Sequence, residues 1–135
     1  MFANVPLIKD RLAQALAPGW TVVDGTEPQD RGDLPRADVR LDGAAFEAAQ
    51  GNVVSLGVRY LIGLVVVIDG TRGPFISLDA AVDAVIASLH GWKPDGGPSV
   101  LGIEAMAPLE FPAAGQFGYQ LGFSMKVVRK GVPYR

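Results

Sequence analysis

The chain has no cysteine among its 135 residues and a single histidine, His90. The first absence excludes disulfides, thiolate metal sites and a cysteine nucleophile, and fits a reducing compartment. The second leaves little room for imidazole chemistry. His90 closes a helical pattern beside Gly91-Trp92, and Asp83 lies two helical turns back, beyond reach as a catalytic partner. A surplus of one charge is also missing, with 12 basic residues against 14 acidic ones. No general attraction to nucleic acid or anionic lipid follows from such a balance.

Long hydrophobic runs are absent too. The longest, Tyr60 to Ile68, is far short of the roughly 18 to 20 apolar residues that a spanning helix needs, so it is expected in a core or an interface. Met1 to Leu16 carries charges inside a helical pattern and lacks a basic start followed by an apolar stretch, so no secretory signal is expected and synthesis is assigned to the cytoplasm.

The catalytic motifs are missing as well. No serine sits in a G-x-S-x-G elbow, and the glycines of DGTRGP and PDGGPS lack the Lys-Ser or Lys-Thr that opens a phosphate-binding helix. Asp24, Glu27, Asp30 and Asp33 recur every third residue, as carboxylates do in calcium loops. Pro28 and Arg31 interrupt them and no terminal bidentate glutamate follows, so an acidic solvated or partner-facing loop is expected, with no metal. No catalytic, cofactor or metal residue is predicted. Lys126, Arg129, Lys130 and Arg135 make the C-terminal end positive, in a run too short for nucleic-acid binding.

What the chain does have is an apolar fraction of 49%, enough for one core in one domain, residues 1–135. Its most distinctive segment is VVSLGVRYLIGLVVVID, Val53 to Asp69. As one strand it would span about 56 Å, longer than the ~37 Å diameter of a compact chain of this size. Part of it must bend or project. Val54, Leu56, Val58 and Tyr60 alternate with a more polar set near Gln50-Gly51-Asn52, whereas Leu61 to Val67 is apolar on both faces and needs cover on both. The turn at Gly51 pairs this strand with Ala37 to Ala49, which predicts a β-hairpin arm over residues 37–60.

Around that hairpin the pattern predicts a helix with Val5, Ile8, Leu12 and Leu16 inward and Asn4 as its cap, then a strand at Trp20 to Asp24 and a mobile loop over residues 25–36. Ser77 is expected to cap a second helix striped by Leu78, Val82, Val85, Ile86 and Leu89 and ended by Gly91. Val100 to Phe111 and Phe117 to Val128 read as a second hairpin, with Tyr119, Leu121, Phe123, Met125 and Val127 on one face. The fold class is α+β: an antiparallel-rich sheet of about five strands, two helices on one face and a long hairpin arm.

This order, with the hairpin around DVRLDGAAFEAAQGNVVSLGVRYLIGLVVV, the helix SLDAAVDAVIASLHGW and the closing strand GYQLGFSMKVV, resembles bacteriophage tail terminator and tail-completion proteins, also known as minor tail proteins. The resemblance covers most of the chain and implies a structural subunit without catalytic residues or cofactors. It implies a homo-oligomeric ring, commonly a hexamer, that caps the tail tube at the head-proximal end of the virion, ends polymerisation and presents a head-joining surface. Implied partners are the tube protein and a head-completion or connector protein, with DNA passing through the ring without specific binding and no membrane involved. Assembly would take place in the host cytoplasm.

On this reading Phe46, Val54, Leu56, Val58, Tyr60, Leu61, Val65 and Val67 are the candidate subunit-interface residues, and Asp24, Glu27, Asp30 and Asp33 the candidate channel or partner loop. A different head-tail connector or contractile-device adaptor, and a small ligand-binding α+β domain or enzyme, are the alternative functions.

Overall fold

The computed structural model describes residues 1–25, 34–68, 73–94, 99–109 and 115–131. Along the chain run α1 (Asn4–Ala15), β1 (Thr21–Asp24), β2 (Arg36–Gln50), β3 (Val53–Val67), α2 (Gly73–Leu89), β4 (Gly102–Pro108) and β5 (Gln116–Lys130). The five strands form one sheet in the order β1-β2-β3-β5-β4. Only β1 and β2 run parallel; the other neighbours are antiparallel, so the fold is α+β with a mixed sheet.

Both helices cover one face. Val5, Ile8 and Leu12 of α1 and Leu78, Ala81, Val85 and Leu89 of α2 share a buried cluster with Val39, Val58, Tyr60, Ile62, Leu64, Leu121, Phe123 and Met125. The strand residues in this cluster are alternate positions brought side by side by the register, Tyr60 opposite Phe123 and Ile62 opposite both Val39 and Leu121. The loop expected over residues 25–36 is tied to the sheet at both ends. Gly25 donates its N–H to the Val39 carbonyl at 2.8 Å, Thr21 donates to the Pro35 carbonyl at 3.0 Å, and Arg36 already belongs to β2. Residues 26–33 lie outside the described residues.

Two helix starts differ from the pattern. Ala3 is the N-cap of α1 and makes no side-chain cap bond, because Asn4 is drawn inward. The Asn4 amide donates to the Tyr60 hydroxyl at 3.2 Å and to the Met125 sulfur at 3.6 Å, while that hydroxyl donates to the Met1 carbonyl at 2.6 Å. A buried phenol needs partners, and this need outweighs capping. The second helix begins at Gly73, a turn before Ser77, since Pro74 is tolerated in a first turn where its missing N–H has no acceptor to satisfy.

At the far end of α2, Gly91 takes φ +81° and turns the chain back. Ile103 donates its N–H to His90 Nδ1 at 3.1 Å, so the one histidine ties α2 to β4. Arg11 bonds the Ser88 carbonyl at 2.6 Å and lies over the Trp92 ring at 4.5 Å, joining the two helices.

Among the described residues the other face of the sheet has no helix, yet Leu61 and Val65 on it are 8% and 5% exposed. Their cover comes from side chains that lie flat across glycines. Asp38 reaches over Gly63, its Oδ1 2.9 Å from where a β-carbon would stand, Arg59 reaches over Gly122 in the same way, and Leu109 covers Gly118. Arg40 and Arg36 stand opposite Leu61 and Val65 in β2, so their stems flank both residues. Burial pushes the Asp38 carboxyl above its ordinary pKa, against the opposing pull of Arg40 and Arg36.

Two predictions follow from this packing. Tyr60→Phe removes the acceptor of Asn4 and the donor to Met1, and should lower stability in denaturant unfolding by about 1–3 kcal/mol without changing the fold. Because the native state holds the Asp38 proton more tightly than the unfolded chain does, stability falls as pH rises from the usual carboxylate range through the raised pKa. Asp38→Asn should therefore be more stable than the parent at neutral pH, and the difference should shrink in urea titrations at about pH 3.5, below the ordinary carboxylate pKa. An equal difference at both pH values would remove burial as its source.

Candidate functional site

β3 is paired on both sides over nearly its whole length. β2 pairs with it from Val65 to Val53, and β5 from Val67 to Val53. The turn at its tip is tight, with Gln50 opposite Val53 and Gly51 at φ +61°. Gly131 donates its N–H to the Asn52 carbonyl at 2.6 Å and accepts a bond from the Asn52 amide at 2.9 Å, so the end of β5 is fixed to the same tip. The distal sheet is thus three-stranded, a broader structure than the expected two-stranded hairpin.

Its exposure differs sharply from that of the body. Every residue of β2 from Asp42 to Gln50 is exposed, whereas Ala37 and Val39 at its base are wholly buried. Among the described residues, β2 has no strand beside it beyond the short pairing with β1, which ends at Val39, and β5 has none beyond the pairing with β4, which ends at Ser124. Such edges present backbone donors and acceptors to a further strand. Two bulges shape the sheet, at Leu41/Gly43 and Phe46/Ala48, and a third interrupts β4 at Ile103/Ala105. The first and third turn Asp42 and Glu104 toward Arg59, whose Nε stands 3.8 Å and 3.3 Å from their carboxylates. At this exposure the ion pairs contribute little stability and chiefly orient the three side chains.

The eight candidate interface residues do not form one surface. Phe46 is 66% exposed on β2, with Leu56 opposite it and Val54 further toward the tip on the same face, both half-buried. Val58 and Tyr60 share that face but are wholly buried beneath the helices, so the subunit's own core occupies them and they are corrected to core residues. Leu61 and Val65 lie on the opposite face under the flat side chains, and Val67 is exposed at the end of β3. Of the acidic residues, Asp24 ends β1, half-buried; Glu27, Asp30 and Asp33 lie outside the described residues.

Among the described residues, two concavities flank α2. One, of about 580 Å³, is lined by Ala15, Pro18, Trp20, Ile76, Ala80 and Ala84 among others and has no ionisable side chain among its described residues. The other, of about 280 Å³, lies between α2 and the β4–β5 edge, where the rings of Phe75 and Phe117 meet at 5.7 Å and 56° beside Leu78, Met106 and Tyr119. Asp79 is its one charged lining residue among those described. Sequence reasoning passed over this pocket because its residues come from three separate elements. Among the described residues no group of three or more His, Asp or Glu is placed to hold a metal, and no helix is long and apolar enough to cross a membrane.

No protein-family model matches the sequence, and no curated protein matches it. Among solved structures, a chain of the "Virion of native gene transfer agent (GTA) particle" has a similar fold, with a TM-score of 0.58 at 17% identity. The similarity extends over 95% of this chain and 91% of that one.

Proposed function

We propose that this chain is a structural subunit of a phage-like virion, and within it a tail terminator: a ring of identical copies, six as is common in the family it resembles, seated at the head-proximal end of the tail tube. Copies capping the tube end its growth and present the surface that the head-completion or connector protein meets. DNA passes through without specific binding, in keeping with the balanced charge. The acidic stretch from Asp24 to Asp33 is assigned to the channel side on its charge alone.

The observation that carries this reading is the similarity of fold, over nearly the full length of both chains, to a component of a virion particle. A second support is the arm, a three-stranded sheet that among the described residues has two free edges and no helix over its exposed strand β2.

Purified protein added to growing tail tubes should arrest elongation and appear in negative-stain images as a ring at one end. Ala45 faces Gly57 in register, so replacing Phe46–Leu56 by Asn-Gly should close a shorter hairpin and leave the buried body folded. That variant should keep a cooperative thermal transition yet lose ring formation and capping. Rings assembled by it as readily as by the parent would remove the arm from the proposal.

A further inference from the structure

We infer that Phe46 of one copy inserts into the pocket between α2 and the β4–β5 edge of a second copy, with Arg129 of the first facing Asp79 of the second. This rests on the assembly reading above and names the two surfaces that meet.

The arm carries a large exposed aromatic ring that the subunit leaves in water, 66% exposed on a strand whose neighbours are mostly alanine. Isolated exposed side chains are ordinary, but this one sits on a protruding sheet with Val54 and Leu56 beside it. The pocket has the matching character. At about 280 Å³ it is below the ~300–1,000 Å³ of typical small-molecule sites, yet it can admit one aromatic side chain. Phe75 and Met106 in its wall are themselves 46% and 44% exposed, apolar surface awaiting a partner. Aromatic and methionine walls suit an incoming phenyl ring.

Charge argues for a second copy as the occupant. On the face of the arm that carries Phe46, β5 presents Arg129, while Lys126 and Lys130 lie on the opposite face. On α2, Asp79 lines the pocket and Asp83 stands exposed one turn further on. Arg129 is opposite Val54, on the same face of the sheet as Phe46, so one approach brings the ring and the guanidinium to the pocket together. The two surfaces cannot meet within one subunit. Phe46 pairs with Leu56, and Met106 with Leu121, itself opposite Ile62. That places them about 20 Å apart along the strands and about 14 Å apart across them. A contact joining different patches of identical copies is the kind that closes rings.

The absence of cysteine makes the test direct. Chains carrying only Phe46→Cys are mixed with chains carrying only Met106→Cys, with tail tubes supplied, and oxidised; a disulfide between residues 46 and 106 can form only between copies, given the limit of about 7 Å between Cα atoms. The expected product is that cross-link, identified by peptide mass spectrometry. Phe46→Ala should weaken self-association on the order of tenfold or more, as loss of an aromatic anchor does. Asp79→Arg and Arg129→Asp should each weaken it, and together restore it. Oligomers that form without the 46–106 link, or that Phe46→Ala leaves at the parental concentration dependence, would overturn this contact and leave the ring proposal standing. A parent chain that neither self-associates nor binds tube ends would overturn the functional reading itself.

Discussion

Covering β3 on both faces is the constraint on which the rest of the structure depends. Its segment from Leu61 to Val66 is buried throughout, but two helices suffice for only one side of a sheet in a chain this short. The second side is closed from within the sheet, by Asp38, Arg59 and Leu109 lying over glycines of the adjacent strands. A β-carbon at Gly63, Gly118 or Gly122 would lift these side chains and open Leu61 and Val65 to water. The glycines are therefore packing elements, and the cost of the arrangement appears in the raised pKa of Asp38, whose charge is drawn toward an apolar floor.

This economy frees the distal half of the sheet from the body. With both helices spent on residues from Val58 to Val66, nothing of the helical layer is left for Gly43 to Gln50. The distal strands hold together through hydrogen bonds that run to the tip, where Asn52 ties the turn to Gly131. The distal strands thus hold together without a helical layer over them.

Much of the fold was legible in the sequence because period-two and period-3.6 patterns are strong here. The strand cores, the inward face of β5 and the stop of α2 at Gly91 all follow from apolar spacing and one glycine. Strand order was not legible: nothing in the spacing says that β5 enters between β3 and β4, and this placement turned the expected hairpin arm into a three-stranded one. Asn4 was misread because capping is a local rule and its partners are 56 and 121 residues away. Val58 and Tyr60 seemed available to a neighbour for the same reason, since the alternation that marks a face cannot say how far a helix extends over it. Phe46 was one of the candidate interface residues, but its exposure is seen only in the structure, and the pocket, which draws on α2, β4 and β5, had no sequence signal.

The position of β5 also bears on how the protein is made. The sheet is joined through β5, which follows β4 in the chain yet lies between β3 and β4. Until residues 116–130 have left the ribosome, β3 shows one unpaired edge some fifteen residues long and β4 has no neighbour. The two halves of the sheet are joined only once β5 has been made. The distal sheet, which needs β5 as its third strand, therefore cannot form before that strand is made.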